Sequence, residues 1–230
     1  MNLFSKLIKY IYSGKVIIYL YCLLKGKYYT MKYVNGRGQI IFNYPYLKLR
    51  IDKCQNASFE LRGNLILDSH CGGRGYVSIR LMPGASFVVE NDFLLGQNCK
   101  IHVHNNAFLY IGGKKKESVS GITSDSIIMC YKNISIGTDL ICGWNVFITD
   151  SDWHTTFVNG QKRSHHKDVN IGNHVWIGSN VIISKGVYIN SNSVIAAFSK
   201  VGAGNFPQNS VLAGIPALVL PLSIDWNRDI

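Results

Sequence analysis

The sequence predicts an all-β-dominated fold, a parallel β-helix solenoid, and three observations predict it. From Ile171 the chain divides into sixes: IGNHVW, IGSNVI, ISKGVY, INSNSV, IAAFSK, VGAGNF. Every first position (Ile171, Ile177, Ile183, Ile189, Ile195, Val201) is β-branched and apolar. The same register recurs upstream as IGTDLI, CGWNVF and ITDSDW, led by Ile136, Cys142 and Ile148. A six-residue period fits neither an amphipathic helix nor an alternating hairpin. It fits a short strand plus a turn, repeated, with position one stacked along the coil axis. Small residues at position two, such as Gly172, Gly178 and Ala196, are expected to admit the corner. Each coil lends its backbone hydrogen bonds to the next, so the core is a one-dimensional stack.

The N-terminal segment, 1–50, precedes this repeat. Val16 to Leu24, VIIYLYCLL, is too short an apolar run to span a bilayer, and Lys6, Lys9 and Lys15 interrupt any longer one. No small-residue cleavage site follows in KGKYYTMK, so no signal peptide is expected. Leu3, Phe4, Leu7, Ile8 and Ile11 form a helical stripe. Residues 1–50 are therefore expected to be helical or extended, with helix over 1–30. That helix either packs on its own domain or a partner subunit, or lies on an anionic membrane surface.

The solenoid is expected over 51–206. Ile79, Phe87, Leu95, Val103 and Ile111 recur at every eighth position, which suggests looser coils, and GGKKKESVSGITSD, 112–125, breaks that pattern as a loop. The interval from Ile136 to Ile171 is not a multiple of six. The chain must leave the solenoid there, and the polar HTTFVNGQKRSHHKD places a protruding loop at about 153–168. Residues 207–230, with three of the five prolines, form a non-repeating tail.

Composition narrows the partners. The chain is 47% hydrophobic and 16% charged, which is globular, and its formal charge is +11. Such a charge favours anionic partners, whether acidic glycans, phosphorylated cofactors or anionic lipid, or it serves solubility. No nucleic-acid partner is expected, because no recognition motif combines aromatic and basic residues. The six cysteines include no CxxC pair and read as reduced thiols, which implies a cytoplasmic setting, at most at the inner face of the membrane.

Three motifs join the hexapeptides: DSDWH at 150–154, VWIGS at 175–179 and AGIPA at 213–217. With them the chain resembles the hexapeptide-repeat acyltransferases, in particular the galactoside, maltose and bacterial surface-polysaccharide O-acetyltransferases. The resemblance covers about 75–220 and is best over 134–217. It implies a left-handed β-helix, acetyl-CoA as co-substrate, a sugar hydroxyl of a surface glycan or its precursor as acceptor, and a homotrimer. His154 is then the general base. Trp176 lies beside the donor and the adjacent subunit, with Gly178 next to it, and the Ser179 N–H receives the thioester oxygen. Ala196, Ala197 and Lys200 belong to the donor side. The chain departs from its relatives where a Thr-Lys pair and an Arg help hold coenzyme A phosphates: here stand Gly202-Ala203 and Leu218, leaving Lys200, Lys185 or Arg228 to substitute.

The residues add their own constraints. A sugar hydroxyl needs a base near neutral pH, which imidazole supplies. Asp150 and Asp152 alternate with His154, so in an extended segment all three share a side and either carboxylate could orient the ring. Trp144 and Asn145 either line the acceptor cleft or, for Asn145, stack in an asparagine ladder; Asp125 and Ser124 are further acceptor-side candidates. Lys162, Arg163, His165, His166 and Lys167 either meet an acidic glycan or are simply solvated. No metal is expected: a β-helical carbonic anhydrase needs three histidines, and His102 and His104 have no evident third ligand. Two rival readings remain open. An N-acetyltransferase of an amino sugar nucleotide would be separated by acceptor trials, and a non-catalytic scaffold by the lack of donor binding.

Overall fold

The structure, a computed structural model, describes residues 15–70, 72, 74–114, 120–222 and 224–227. Among these residues, parallel strands form three sheets that wrap one axis, the expected fold class. Successive strands go to successive faces. The first face starts with Ile40–Phe42, Leu65–Asp68 and Phe93–Gly96 and ends with Val211–Gly214 and the antiparallel Ala217–Val219. The second runs from Lys48–Lys53 through Tyr76–Leu81, Lys100–Val103, Ile127–Cys130 and Phe147–Thr149 to Lys200–Val201. The third runs from Ser58–Leu61 to Gly204–Phe206. Strands thus begin before 51 and continue past 206: the solenoid takes in the end of the expected N-terminal segment and the start of the expected tail. Strand also occupies Phe108–Gly113 and Gly121–Ser124, which shortens the break expected at 112–125.

The coils change width along the axis. At the N-terminal end Leu49 pairs with Val77, and Arg80 reaches back one coil to Asp52, a separation of 28 in sequence. One coil later Ile79 pairs with Ile101, and the Tyr76 N–H donates to Asn98, a separation of 22. In the hexapeptide part Ile171 pairs with Ile189, and the Asn173 N–H donates to Ser191 at a separation of 18, which is three sixes. The eightfold recurrence marks the wide coils: Ile79, Phe87, Leu95, Val103 and Ile111 are all buried. Phe59 and Phe87 stack at 5.1 Å between centroids in adjacent coils. Cys142 occupies a fully buried core position, as an aliphatic would.

The corners differ from expectation. In the first five hexapeptides the left-handed residue is the fourth: His174, Asn180, Gly186, Asn192 and Phe198 have φ between 55° and 75°. The second-position glycines serve coil stacking instead. A Cβ on Gly172 would stand 2.6 Å from the Ser191 amide nitrogen, and one on Gly178 2.6 Å from that of Ala197. Polar fourth residues also bond along the axis, which short side chains in the left-handed region do readily.

Among the described residues one helix, α1, spans Val16–Tyr33 and lies on the N-terminal coil. The expected amphipathic stripe over Leu3–Ile11 lies outside the described residues. Gly26 lets α1 approach closely, since a Cβ there would be 2.4 Å from the Ile40 carbonyl oxygen. Lys25 Nζ donates to the Leu47 carbonyl (2.6 Å) and Tyr29 Oη to that of Leu49 (2.8 Å). The opposite side of α1 is apolar and open: Ile17, Tyr21, Leu24, Tyr28 and Met31 are exposed. No helix among the described residues is long and apolar enough to cross a membrane.

Candidate functional site

Ile136 pairs with Ile171, and Ile171 in turn with Ile189. The first of these two turns takes nearly twice as much chain as the second. The surplus is the excursion expected from the sequence, and the structure gives it form. It is a β-hairpin, Thr156–Val158 against Gln161–Arg163, turning at Asn159 and Gly160, both with positive φ. Asn-Gly is the strongest short hairpin signal, legible in the sequence and not used there. The hairpin's base is closed by the Ser151–His166 bridge, by Asp152 N–H to the His165 carbonyl (2.7 Å) and by Lys167 N–H to that of Asp150 (2.9 Å).

His154 follows this closed base and is exposed. Among the described residues its ring has no hydrogen-bond partner. Trp153, immediately before it, adopts φ +65°. That conformation is unfavourable for a bulky side chain and persists where surroundings enforce it. Here the Trp153 N–H donates to Ser151 Oγ (2.9 Å), and its ring rests against His102, His104 and Tyr131 at centroid distances of 6.2, 6.0 and 5.5 Å.

The two aspartates do not share a side with His154, because the turn at Trp153 breaks the extended segment on which that expectation depends. Asp150 is fully buried, and its carboxylate accepts the backbone N–H groups of Tyr131 (2.6 Å), Lys132 (2.7 Å) and Asn133 (2.7 Å). Both oxygens are thus spent on holding a corner of the neighbouring coil. Asp152 is half-exposed and pairs with Lys185.

The remaining candidates gather elsewhere. Asn98 donates to Asp125 (2.9 Å), and Asn145 to Asn180 (2.7 Å), at successive levels of the corner between the first and second faces. Asn145 therefore stands in a ladder, and Asp125, also bonded by Ser124 Oγ at 2.6 Å, belongs to the same stack. Trp144 is exposed; its N–H donates to Ser179 Oγ at 3.2 Å. The Ser179 N–H has no partner among the described residues, and Gly178 packs against Ala197. Trp176 lies on the first face, exposed, 6.2 Å from the ring of Trp226. Ala196 is half-buried on the coil above, and Lys200 is exposed on the second face. His154 is not among them: it leaves from the corner between the second and third faces. One chain thus presents His154 at one corner and Trp176 on another face.

The sequence singled out His102, His104, His165 and His166 separately, but neither Tyr131 nor their gathering around Trp153. His104 stacks on Tyr131 at 4.6 Å, and His165 meets Tyr131 edge-on at 4.8 Å. His166 stands beside His165, and burial, then Lys132 and His165, push its pKa down. Burial likewise lowers that of His102, followed by the charges of Arg80 and His104. These residues lie far apart in sequence, and only the coil register joins them. No group of three His, Cys, Asp or Glu side chains placed to hold a metal occurs among the described residues.

Comparison with known proteins gives similarities of sequence and fold. Residues 168–203 match the family described as bacterial transferase hexapeptide (six repeats). The chain is 39% identical over 90 residues to the galactoside O-acetyltransferase of Escherichia coli K12, covering 38% of this chain and 43% of that protein. It is 35% identical over 102 residues to the polysialic acid O-acetyltransferase of Neisseria meningitidis, covering 44% and 45%. With the galactoside O-acetyltransferase of Lactococcus lactis it shares 33% over 129 residues, covering 54% and 60%. The chain thus spans about half the length of these curated relatives. Among solved structures, that of the polySia specific acetyltransferase NeuO superposes with a TM-score of 0.51 at 23% identity over 85% of this chain and 88% of that one, a likeness of fold. The chain folds as a parallel β-helix, carries a hexapeptide-family match at residues 168–203, and is similar over part of its length to galactoside and polysialic acid O-acetyltransferases.

Proposed function

We propose that the protein transfers the acetyl group of acetyl-CoA to a carbohydrate hydroxyl, with His154 as the base, at sites shared between copies of a homotrimer. The observation that carries this reading is the split site. His154 is exposed and unpaired among the described residues on one corner, whereas Trp176 and the free Ser179 N–H lie on another face. A second copy would bring the two halves together.

The first face supports such an assembly. Ile41, Ile66, Leu94, Gly121, Ile141 and Trp176 follow one another in register, all on its outer side. The C-terminal segment covers the top of this column, where Trp226 packs with Val194 and Val211. The lower part is left for another molecule, which is what a closed symmetric oligomer would bury.

The chemistry then runs as follows. His154 takes the proton from the sugar hydroxyl while its oxygen attacks the thioester carbon. The Ser179 N–H stabilises the resulting oxyanion. The C–S bond breaks, and the imidazolium protonates the departing thiolate. No covalent acyl-enzyme is needed, because no cysteine or serine sits with a base in a nucleophile motif of the sequence.

His154→Ala should lower kcat by about 10² to 10⁴ with little change in donor affinity. Trp176→Ala should weaken the donor side. Co-refolding the two impaired variants should restore part of the activity, because mixed trimers contain an intact shared site. Failure of mixing to restore activity, with trimers present by sedimentation, would refute the shared site.

The exposed stripe of α1, flanked by Lys27 and Lys32, suits the surface of an anionic membrane, with the acceptor presented on lipid. Leu24→Asp should reduce cosedimentation with phosphatidylglycerol vesicles while turnover of a soluble acceptor stays constant. Unchanged cosedimentation would assign the stripe to a protein partner.

A further inference from the structure

The second face carries a groove of about 440 Å³ on the wide coils, at the opposite end of the solenoid from the donor-side residues. Lys48, Arg50, Asp52, Tyr76, Arg80 and Lys100 line it. Asp52 lies between Arg50 (3.4 Å) and Arg80 (3.3 Å), and with Lys48 and Lys100 also in the lining, positive charge remains in excess. The cations come from three consecutive strands: Lys48 and Arg50 from the first, Arg80 from the second, Lys100 from the third. Adjacent strands are about 4.8 Å apart, so the charges repeat along the axis. A repeated row of charge suits a polyanion better than one phosphate.

The groove also points somewhere. Asp52, Arg80, His102 and Met129 follow one another in register along the outer side of the second face, and the register continues to Thr149, which is buried. From Asp52, at the far end of the groove, four strand spacings, roughly 19 Å, carry this column to the strand that His154's hairpin leaves. At that end the surface becomes aromatic, with Trp153 over His102 and His104 and with His104 stacked on Tyr131. His102 Nε2 is buried there without a hydrogen-bond partner. Cations suit the carboxylates of an acidic polymer, and flat rings suit the C–H faces of its sugars.

We propose that this second-face column is an extended binding track for an acidic polysaccharide, which the wide coils hold by its carboxylates while a hydroxyl further along reaches His154. The proposal rests on the transferase reading for its direction but not for its binding. It makes acceptor recognition a property of the wide coils and donor recognition one of the hexapeptide coils.

The test measures binding of the full chain, without acetyl-CoA, to polygalacturonate and hyaluronate, with dextran as the neutral control and phosphatidylglycerol vesicles and polyuridylate as the other anions. Arg50→Gln/Arg80→Gln removes two exposed cations and should leave the fold intact by circular dichroism. Wild type should bind the acidic glycans and not dextran. The double variant should bind them at least about tenfold more weakly, with a shallower dependence on salt. In turnover, KM for a long acidic acceptor should rise with kcat unchanged. Equal affinity of wild type and variant for both acidic glycans overturns the proposal, as does a loss confined to vesicles or polyuridylate. Absence of acetyl transfer alongside intact, groove-dependent glycan binding would instead sink the transferase reading and leave the track standing.

Discussion

The wide N-terminal coils and the narrow C-terminal coils build the same three faces by different means. A wide coil repeats at 22 to 28 positions and carries longer strands, such as Tyr76–Leu81 and Ser86–Val89, around stacked phenylalanines. A narrow coil repeats at 18 and carries strands as short as Ile182–Ile183, around single isoleucines and valines. The strict sixfold repeat is therefore the signature of minimal strands. Longer strands keep the axis and the hydrogen bonding but free the period. They also present more outward positions per coil, which is where the cationic groove lies. The hairpin bearing His154 marks the junction between the two regimes.

Core truncation on either side should produce the largest stability losses and separate the regimes. Phe87→Ala should cost about 3–5 kcal/mol, and Ile183→Ala about 2–5 kcal/mol. In a one-dimensional stack each lesion should raise amide exchange chiefly in its own and adjacent coils. Hydrogen exchange that rises uniformly over the chain would show that both regimes unfold as a single unit and that the distinction ends at geometry.

The junction itself is sharpened by its two aspartates. Asp150→Asn leaves an amide N–H₂ against backbone donors at Tyr131, Lys132 or Asn133, and should cost about 1–3 kcal/mol in denaturant unfolding. Asp152→Asn removes a half-exposed ion pair with Lys185 and should change stability by about 0–1 kcal/mol. The reverse order would move the structural role to Asp152 and free Asp150 for His154.

The smallest effect concerns the thiols. Burial pushes Cys99 up to about 12, and Cys130 and Cys142 are raised in the same way, all three being core residues near the change in coil width. An unfolded thiol ionises near about 8.5. A raised native value gives stability that is present in full below the unfolded value and is lost as pH rises toward the native one. The unfolding midpoint should therefore decline above about pH 8.5, and these thiols should resist alkylation in the native state. Rapid alkylation of native protein at about pH 8 would mean that these coils open readily.

Much of this architecture was legible in advance. The β-branched leaders from Ile171 to Val201 carry the period, and the irregular interval between Ile136 and Ile171 locates the excursion. DSDWH brings His154 to attention. The alternation of Asp150, Asp152 and His154 misleads, because a periodic reading assumes an extended backbone and Trp153 turns it. The corner was expected at position two, whereas position four carries the left-handed residue. Glycine at position two reflects contact with the next coil, which a single repeat cannot display.

The sequence by itself determined the solenoid, its axis-facing residues and the point where the chain departs, because these depend on intervals along one chain. The tertiary structure decided what lies side by side on the faces. Ile41 meets Ile66, Arg80 meets His102, and Tyr131 meets His104 and Trp153 only once each coil has a definite length. Lateral neighbours in a solenoid are set by residues per turn. Where that number falls from 28 at Asp52 and Arg80 to 18 at Asn173 and Ser191, no fixed spacing in the sequence can announce them.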